Sequence, residues 1–252
     1  MTLTRLDSAA ALRSLDPEDP FLRWEIPATL ARPGYVYGAA VIIPRMTQTR
    51  GDGSALFGTT EDAAVLVEEL IKTGRLDELP RNILTIEEPC YAEVAERLEL
   101  GPGGDWHWMW TADEPPEQAG EDKIIEVARP DWPELTILID EHNPGSDGIP
   151  GRLPGQVWLG LRDRTGSLIA CGVVEDNVAG YPLLSGITVD PAYRGRGLGR
   201  AITAALTRFA VRRQGVCTLG AYAANSVAIK LYESLGFRIG RRWRSRRLIG
   251  AR

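Results

Sequence analysis

Residues 189–199 read Val-Asp-Pro-Ala-Tyr-Arg-Gly-Arg-Gly-Leu-Gly, and no other stretch constrains the fold of this chain as tightly. The apolar run 183–189 reads as a strand that stops at Pro191. A glycine-rich turn follows, and then Leu198, Ile202, Ala205, Leu206 and Phe209 recur at the spacing of one helix face. Strand, glycine turn and helix start together make an anion site. Glycines let backbone N–H groups converge, and the first helical turn leaves donors unpaired with a partial positive charge behind them. Arg194, Arg196 and Arg200 add full charges suited to phosphate oxygens. A pyrophosphate is the natural occupant.

Two common phosphate motifs are excluded by spacing. No Lys-Ser or Lys-Thr follows these glycines, as a P-loop requires, and the turn is spaced G-x-G-x-G rather than G-x-G-x-x-G. Arg194, Gly197 and Gly199 do fit R-x-x-G-x-G, which resembles the pyrophosphate motif of the GNAT superfamily of acyl-CoA-dependent N-acyltransferases. A second match lies downstream, where Asn225, Ala228, Leu231, Tyr232, Gly236 and Phe237 are similar to that superfamily's N-x-x-A-x-x-L-Y-x-x-x-G-F helix and turn. The resemblance covers roughly residues 122–247. It implies an α/β fold with a mixed central sheet and helices on both faces, and acetyl-CoA as co-substrate. It further implies that Ile187 and Val189 hold the pantetheine arm and acyl carbonyl through backbone groups. Arg194, Gly195, Arg196, Gly197, Leu198, Gly199 and Arg200 would take the pyrophosphate, Asn225 would contact the cofactor, and Tyr232 would stand near the thioester sulfur.

The chemistry so implied is direct transfer of an acetyl group to an amine. Such a transfer needs proximity, a donor to the thioester oxygen, a proton acceptor for the ammonium and an acid for the departing thiolate. Tyr232 is the expected acid. The base is a gap, because residues 183–189 contain no carboxylate. Glu175 and Glu126 are the candidates, an ordered water is an alternative, and a solvated strand-end charge is the plain reading of both. Transfer of a longer acyl group, or an acyl-CoA-binding regulatory protein without transfer, are the competing functions. The acceptor reads only as a small-molecule or peptide amine.

Composition narrows the setting. At 252 residues, with 44% apolar and 25% charged side chains, the chain can bury one large core or two modest ones. It has no apolar run of about 18 residues and no secretion signal at its start, so a cytoplasmic protein without a membrane partner is expected. Cys90, Cys171 and Cys217 are widely spaced and read as reduced, buried thiols. His107 and His142 stand apart, so no metal is expected. The net charge is −5. Acids concentrate in the first half, whereas Arg241, Arg242, Arg244, Arg246 and Arg247 crowd the last strand. That strand reads as solvated or in contact with the acidic half, rather than as a nucleic-acid surface. A homodimer is left open.

Turn formers and acids at 115–120 mark a linker, giving an N-terminal α/β domain over 1–120 and a catalytic domain over 121–252. In the second domain, strands are expected at 124–127, 157–161, 168–174, 217–222 and from Phe237, with helices at 132–141, up to Arg213, and from Asn225. In the first, 36–43 reads as a strand, 51–54 as a turn, and Thr59 as the cap of a helix reaching Lys72. Residues 83–86 read as a strand, 90–98 as a helix and 106–110 as a strand with three indoles on one face. The stretch Gly-Pro-Gly-Gly at 101–104 is the weaker of two candidate linkers. This order echoes the second domain, so the first half is expected to be a degenerate copy of the same fold or an unrelated α/β cap. Residues 44–58 hold no R-x-x-G-x-G, which argues against a second acyl-CoA site.

Overall fold

The computed structural model describes residues 1–47 and 51–251. Its first half runs β1 (Thr4–Leu6), α1 (Ala9–Arg13), α2 (Pro20–Trp24), β2 (Gly34–Tyr37), β3 (Ala40–Thr47), β4 (Gly51–Phe57), α3 (Thr60–Lys72), β5 (Leu84–Glu87), α4 (Tyr91–Arg97) and β6 (Leu98–Thr111). The second runs β7 (Ile125–Glu126), α5 (Trp132–His142), β8 (Val157–Arg162), β9 (Leu168–Asp176), β10 (Pro182–Val189), α6 (Leu198–Gln214), β11 (Cys217–Tyr222), α7 (Ser226–Ser234) and β12 (Arg238–Ala251). Apart from the two short helices α1 and α2 standing where the second half has α5, one order of elements thus occurs twice: strand, helical segment, three strands, helix, strand, helix, strand. The repetition extends to pairing. In each half three antiparallel steps lead to a parallel pair, β4 with β5 and β10 with β11, joined by the longest helix of that half. A parallel pair needs such a crossover.

Contacts divide the chain into two compact units. The first holds Met1–Trp108, Tyr222–Ala224 and Ile239–Arg252, and the second Met109–Ala221 and Asn225–Arg238. Strand β12, read from the sequence as the closing strand of the second domain, pairs antiparallel with β5, from Trp243↔Glu87 to Arg246↔Leu84.

The first unit orders its strands β1-β2-β3-β4-β5-β12-β6. Leu66, Val67 and Leu70 of α3 pack with Ile42, Leu56, Leu84 and Ile86 in one cluster. A second, aromatic cluster joins Phe21, Phe57, Trp106, Trp108 and Trp243. Trp106 and Trp108 of β6 are therefore packing groups. Several elements of this unit differ from the expectation of the sequence. Residues 36–43 are two strands, folded back at Gly38, whose φ of 56° suits glycine. Residues 51–54 begin β4 instead of forming a turn. The glycines at 101–104 lie inside β6, and a side chain at Gly103 would collide with the backbone of Ser245 on β12. Glycine there serves close strand approach. Thr59 occupies the N-cap of α3 without capping it, and its hydroxyl donates to Asp62 at 3.0 Å.

The arginines of β12 meet acids of the first unit. Half-buried Arg241 pairs with Asp19 and with Glu87, Arg244 reaches Glu88 at 3.4 Å, and Arg246 reaches Asp105 at 2.8 Å. The basic run thus neutralises acids of the first unit, as one of the two readings of that strand anticipated.

The second unit orders its strands β11-β10-β9-β8-β7. Cys171 and Val173 of β9 join Leu135, Leu138, Ile139 and Trp158 on the α5 face. Gly172, between them, faces α6: a Cβ there would lie 3.0 Å from both Ile202 and Leu206. Alternation along a strand puts helices on both faces, as expected. The proline-rich segment before β7 lies against α6. Arg208 donates to the carbonyls of Pro115 and Pro116, each at 3.2 Å, and pairs with Glu121, while Arg212 reaches Glu114 at 2.8 Å. All three cysteines are free and buried. Among the described residues no helix is long and apolar enough to cross a membrane.

Candidate functional site

The anion-binding turn forms as its sequence demands. Asp190 Oδ1 accepts from Ala192 N at 2.8 Å, closing a short 3-10 turn over Pro191–Tyr193. Gly195 (φ 75°) and Gly197 (φ 79°) then adopt left-handed backbone, and Gly197 is the N-cap of α6. The consequence is a run of donors. Among the described residues, none of the six amides from Gly195 to Arg200 finds a protein acceptor, and the first helical bond runs from Ala201 N to Gly197 O at 3.0 Å. Alternating left-handed residues at the open start of a 17-residue helix aim these amides into one concavity, with the helix dipole behind them.

The three arginines differ in their availability. Arg194 Nε donates to Val189 O at 3.2 Å, and Arg196 donates to Ala192 O at 3.2 Å with its guanidinium 4.9 Å from the Tyr193 ring centre. Each stays close to the turn with donors to spare. Arg200 is tied elsewhere, to Gln118 Oε1 at 2.7 Å and Ser234 Oγ at 2.6 Å.

Strand β10 carries the next part of the site. Its register with β9 slips between Ser185↔Val173 and Thr188↔Cys171, so one extra residue bulges at Gly186 and Ile187. Gly186 takes φ 66°, and a Cβ on it would lie 3.0 Å from the Trp158 ring. The ladder with β11 covers Leu183↔Thr218 and Leu184↔Leu219, before the bulge. The loop 143–156 is seated on this bulge. Gly148 packs backbone to backbone on it, since a Cβ there would fall 2.8 Å from Gly186 N, and Asn143 Nδ2 donates to Ile187 O at 3.4 Å and Thr188 Oγ1 at 3.3 Å.

The first unit presents a contrasting version of the same elements. The β3–β4 ladder runs unbroken from Val41↔Phe57 to Thr47↔Gly51, and β4 stays paired with β5 through Leu56↔Ile86. Where α6 begins with glycines and arginines, α3 begins with Glu61 and Asp62. Asp62 accepts from Ala39 N at 2.9 Å, and Gly58 N donates to Glu87 at 3.2 Å. Carboxylates fill the place that an anion would need.

The expected catalytic groups separate. Tyr232, on α7, is half-buried with its ring 5.9 Å from Phe237, and its hydroxyl has no hydrogen-bond partner among the described residues. Burial pushes this phenol up to about 12. Asn225 caps α7, its Oδ1 accepting from Ala228 N at 3.1 Å. Glu126 is exposed on the edge strand β7, three strands from β10, and the fold does not bring it to the turn or the bulge. Glu175 is not a solvated strand-end charge. It lies inside β9, 2% exposed, accepting from Gln156 Nε2 at 2.7 Å and Ser185 Oγ at 2.8 Å. Burial raises its pKa, opposed by those two hydrogen bonds. Ser185, Gln156 and Asn143 escaped the sequence reading. A lone serine in the apolar run 183–189 was the available signal for the first, and none existed for the others.

No group of three or more His, Cys, Asp or Glu side chains that could hold a metal occurs among the described residues. Residues 154–239 match the family model of the acetyltransferase (GNAT) domain. Over 66 residues the chain is 48% identical to the N-alpha-acetyltransferase RimI of Mycobacterium tuberculosis, covering 26% of this chain and 40% of that protein. Over 85 residues it is 36% identical to the [ribosomal protein bS18]-alanine N-acetyltransferase of Escherichia coli, covering 33% of this chain and 57% of that one. The match thus spans less than two thirds of either relative. Among solved structures, a GCN5-related N-acetyltransferase from Sphaerobacter thermophilus aligns over 98% of this chain and 96% of its own, with TM-score 0.61 and 15% identity, a likeness of fold alone.

Proposed function

We propose that this chain, which belongs to the GNAT superfamily of acetyltransferases through residues 154–239, moves an acetyl group from acetyl-CoA directly to the amine of a small molecule or peptide. The observation that carries this reading is the run of six amides at the start of α6, Gly195 to Arg200, that have no acceptor among the described residues. Arg194 and Arg196 stand beside it, and the bulged strand β10 leads into it. The nest holds the pyrophosphate, Asn225 offers the amide nitrogen left over from capping, and Ile187 and Val189 present backbone groups along the arm. The bulge makes that possible by taking β10 out of register where the acyl group would lie.

Chemistry follows from position. The acceptor nitrogen attacks the thioester carbon, the C–N bond forms, the C–S bond breaks, and the thiolate takes a proton from Tyr232. A phenol held up to about 12 is protonated at every working pH, and its hydroxyl is uncommitted among the described residues. The division into an N-terminal domain, 1–120, and a catalytic domain, 121–252, belongs to this proposal, with the first half a degenerate copy that binds no acyl-CoA. The names of the relatives make peptides with an N-terminal alanine the first acceptors to try. An amine and peptide screen that follows release of free CoA over many turnovers tests the reading. Binding of acetyl-CoA without catalytic CoA release would instead favour a regulatory protein, and faster turnover of longer acyl-CoA donors would move the assignment along the acyl series.

A further inference from the structure

The proposed transfer leaves one requirement unmet: something must take the proton from the acceptor's ammonium. Strand β10 has no carboxylate, and Glu126 stands on the far edge of the sheet. Two side chains beside the bulge meet the requirement jointly. Ser185 is the last residue before the register slip, half-exposed, and its Oγ lies 2.8 Å from Glu175 Oε1. Its pairing with Val173 puts Ser185 on the α5 face, opposite the face where α6 brings the pyrophosphate nest. Glu175, one strand over on the same face, is buried, and its hydrogen-bond donors among the described residues are neutral, the Ser185 hydroxyl and the Gln156 amide. Gln156 is itself fixed, donating to Ile149 O at 2.9 Å and accepting from Gly151 N at 2.9 Å and Trp158 Nε1 at 3.4 Å. The carboxylate is therefore held rigidly, and of its two partners among the described residues Ser185 is the half-exposed one.

We propose that Ser185 and Glu175 form a proton relay that deprotonates the acceptor amine in this transferase, an inference that rests on the acetyl-transfer reading. The ammonium gives a proton to Ser185 Oγ while the serine's own proton passes to Glu175 Oε1. The freed amine then attacks, and the proton that its nitrogen loses on forming the amide replaces the one that Tyr232 gives to sulfur. Glu175 returns its proton to solvent before the next turnover, so the cycle releases one proton per acetyl group moved. Ser185 touches the substrate, and Glu175 acts through it.

Burial supports the assignment, because a base with a raised pKa is better matched to an ammonium at neutral pH than an ordinary carboxylate. The charged groups that face Glu175 come from the loop 143–156: Asp147 pushes its pKa further up and Arg152 pulls it down. The rate should fall as pH drops through the raised pKa of Glu175.

The test uses the full-length protein, acetyl-CoA and the best amine from the screen, with two variants and two readouts. Glu175→Gln preserves shape and one hydrogen bond, and Ser185→Ala breaks the relay at its other end. Each should lower kcat by ~10- to 100-fold while leaving the KM for acetyl-CoA unchanged, and Glu175→Gln should lose the acid limb of the pH profile. Difference infrared spectroscopy of the carboxylic C=O band, with Glu175→Gln as the blank, should titrate at the pH of that limb. A residue that only anchors the loop 143–156 would alter KM or stability and leave the limb in place. Retention of rate and limb in Glu175→Gln, or an infrared midpoint in the ordinary carboxylate range, would overturn the relay while the transferase reading stands. A wild type that releases no CoA with any amine would bring down that reading and the relay with it.

Discussion

The Tyr193 hydroxyl donates to Asp163 Oδ2 at 2.7 Å, joining the β8–β9 hairpin turn to the residues just before the pyrophosphate nest. Asp163 is also gripped within its own turn, accepting from the hydroxyl of Thr165 at 2.6 Å and from the amides of Thr165 and Ser167. These bonds, the Thr165 hydroxyl foremost, hold the carboxyl down to about 2. The ring so fixed lies 4.9 Å from the Arg196 guanidinium.

Tyr193→Phe, which deletes the bond and keeps the ring, is expected to weaken acetyl-CoA binding several-fold with kcat unchanged. The pH dependence has a definite sign. In the folded protein the Asp163 carboxyl stays ionised, and keeps its bond to Tyr193, until pH falls toward about 2; its contribution to folding, full above the unfolded value of ~3.9, is lost over the same descent. Affinity should therefore be flat across neutral pH and weaken only in acid, which calorimetry at a series of pH values will show.

Gly197→Val is expected to abolish most acetyl-CoA binding. A Cβ at this position meets no protein atom within 4 Å, so crowding inside the protein is not the cause. The cause is φ, 79°, which a β-branched residue adopts at a cost of about 1–2 kcal/mol. Relaxing to negative φ would turn the amides of the nest apart. The expected signature is a small drop in melting temperature and a large loss of affinity by titration calorimetry.

Tyr232→Phe should lower kcat by ~10- to 1000-fold with acetyl-CoA affinity and folding nearly unchanged. The hydroxyl has no hydrogen-bond partner among the described residues, so its deletion leaves no protein group orphaned. Single-turnover measurement checks this where chemistry is rate-limiting. Full activity in the Phe variant would reduce Tyr232 to a packing residue.

Titration should give one acetyl-CoA per chain. The first unit repeats the order of elements but keeps β4 paired with β5 and places Asp62 and Glu87 at the start of α3. An anion brought there would meet two carboxylates. Native mass spectrometry at saturating acetyl-CoA counts the sites, and a second equivalent bound with similar affinity would refute the degenerate-copy reading.

Much of the second unit was legible because its signals are local. Strand β11 has the expected bounds, α6 and α7 differ by about a residue, and the glycine spacing alone sets up the nest. The first unit was harder to read. Its opening strand and short helices α1 and α2 carry little periodicity, and α2 depends on Asp19 capping Phe21 N at 2.8 Å and on the aromatic cluster it covers. The hairpin of β2 and β3 read as one strand because Gly38 was the only break between two apolar runs.

The sequence by itself determined the features in which neighbours in the chain do the work. These are the strand, turn and helix of the anion nest, the cap at Asn225, and the repeated order of elements. In each, a residue's own backbone preference or its spacing from near neighbours sets the outcome. Only the tertiary structure decided which acids Arg241 and Arg246 meet, why Gly103 and Gly148 carry no side chain, and that Glu175 is buried on Ser185 and Gln156 while Glu126 faces water. Both glutamates stand in apolar company along the chain. What separates them is burial by packing: β9 is an inner strand flanked by β8 and β10, whereas β7 is an edge, and the free energy of a carboxylate depends on which groups from distant segments replace its water.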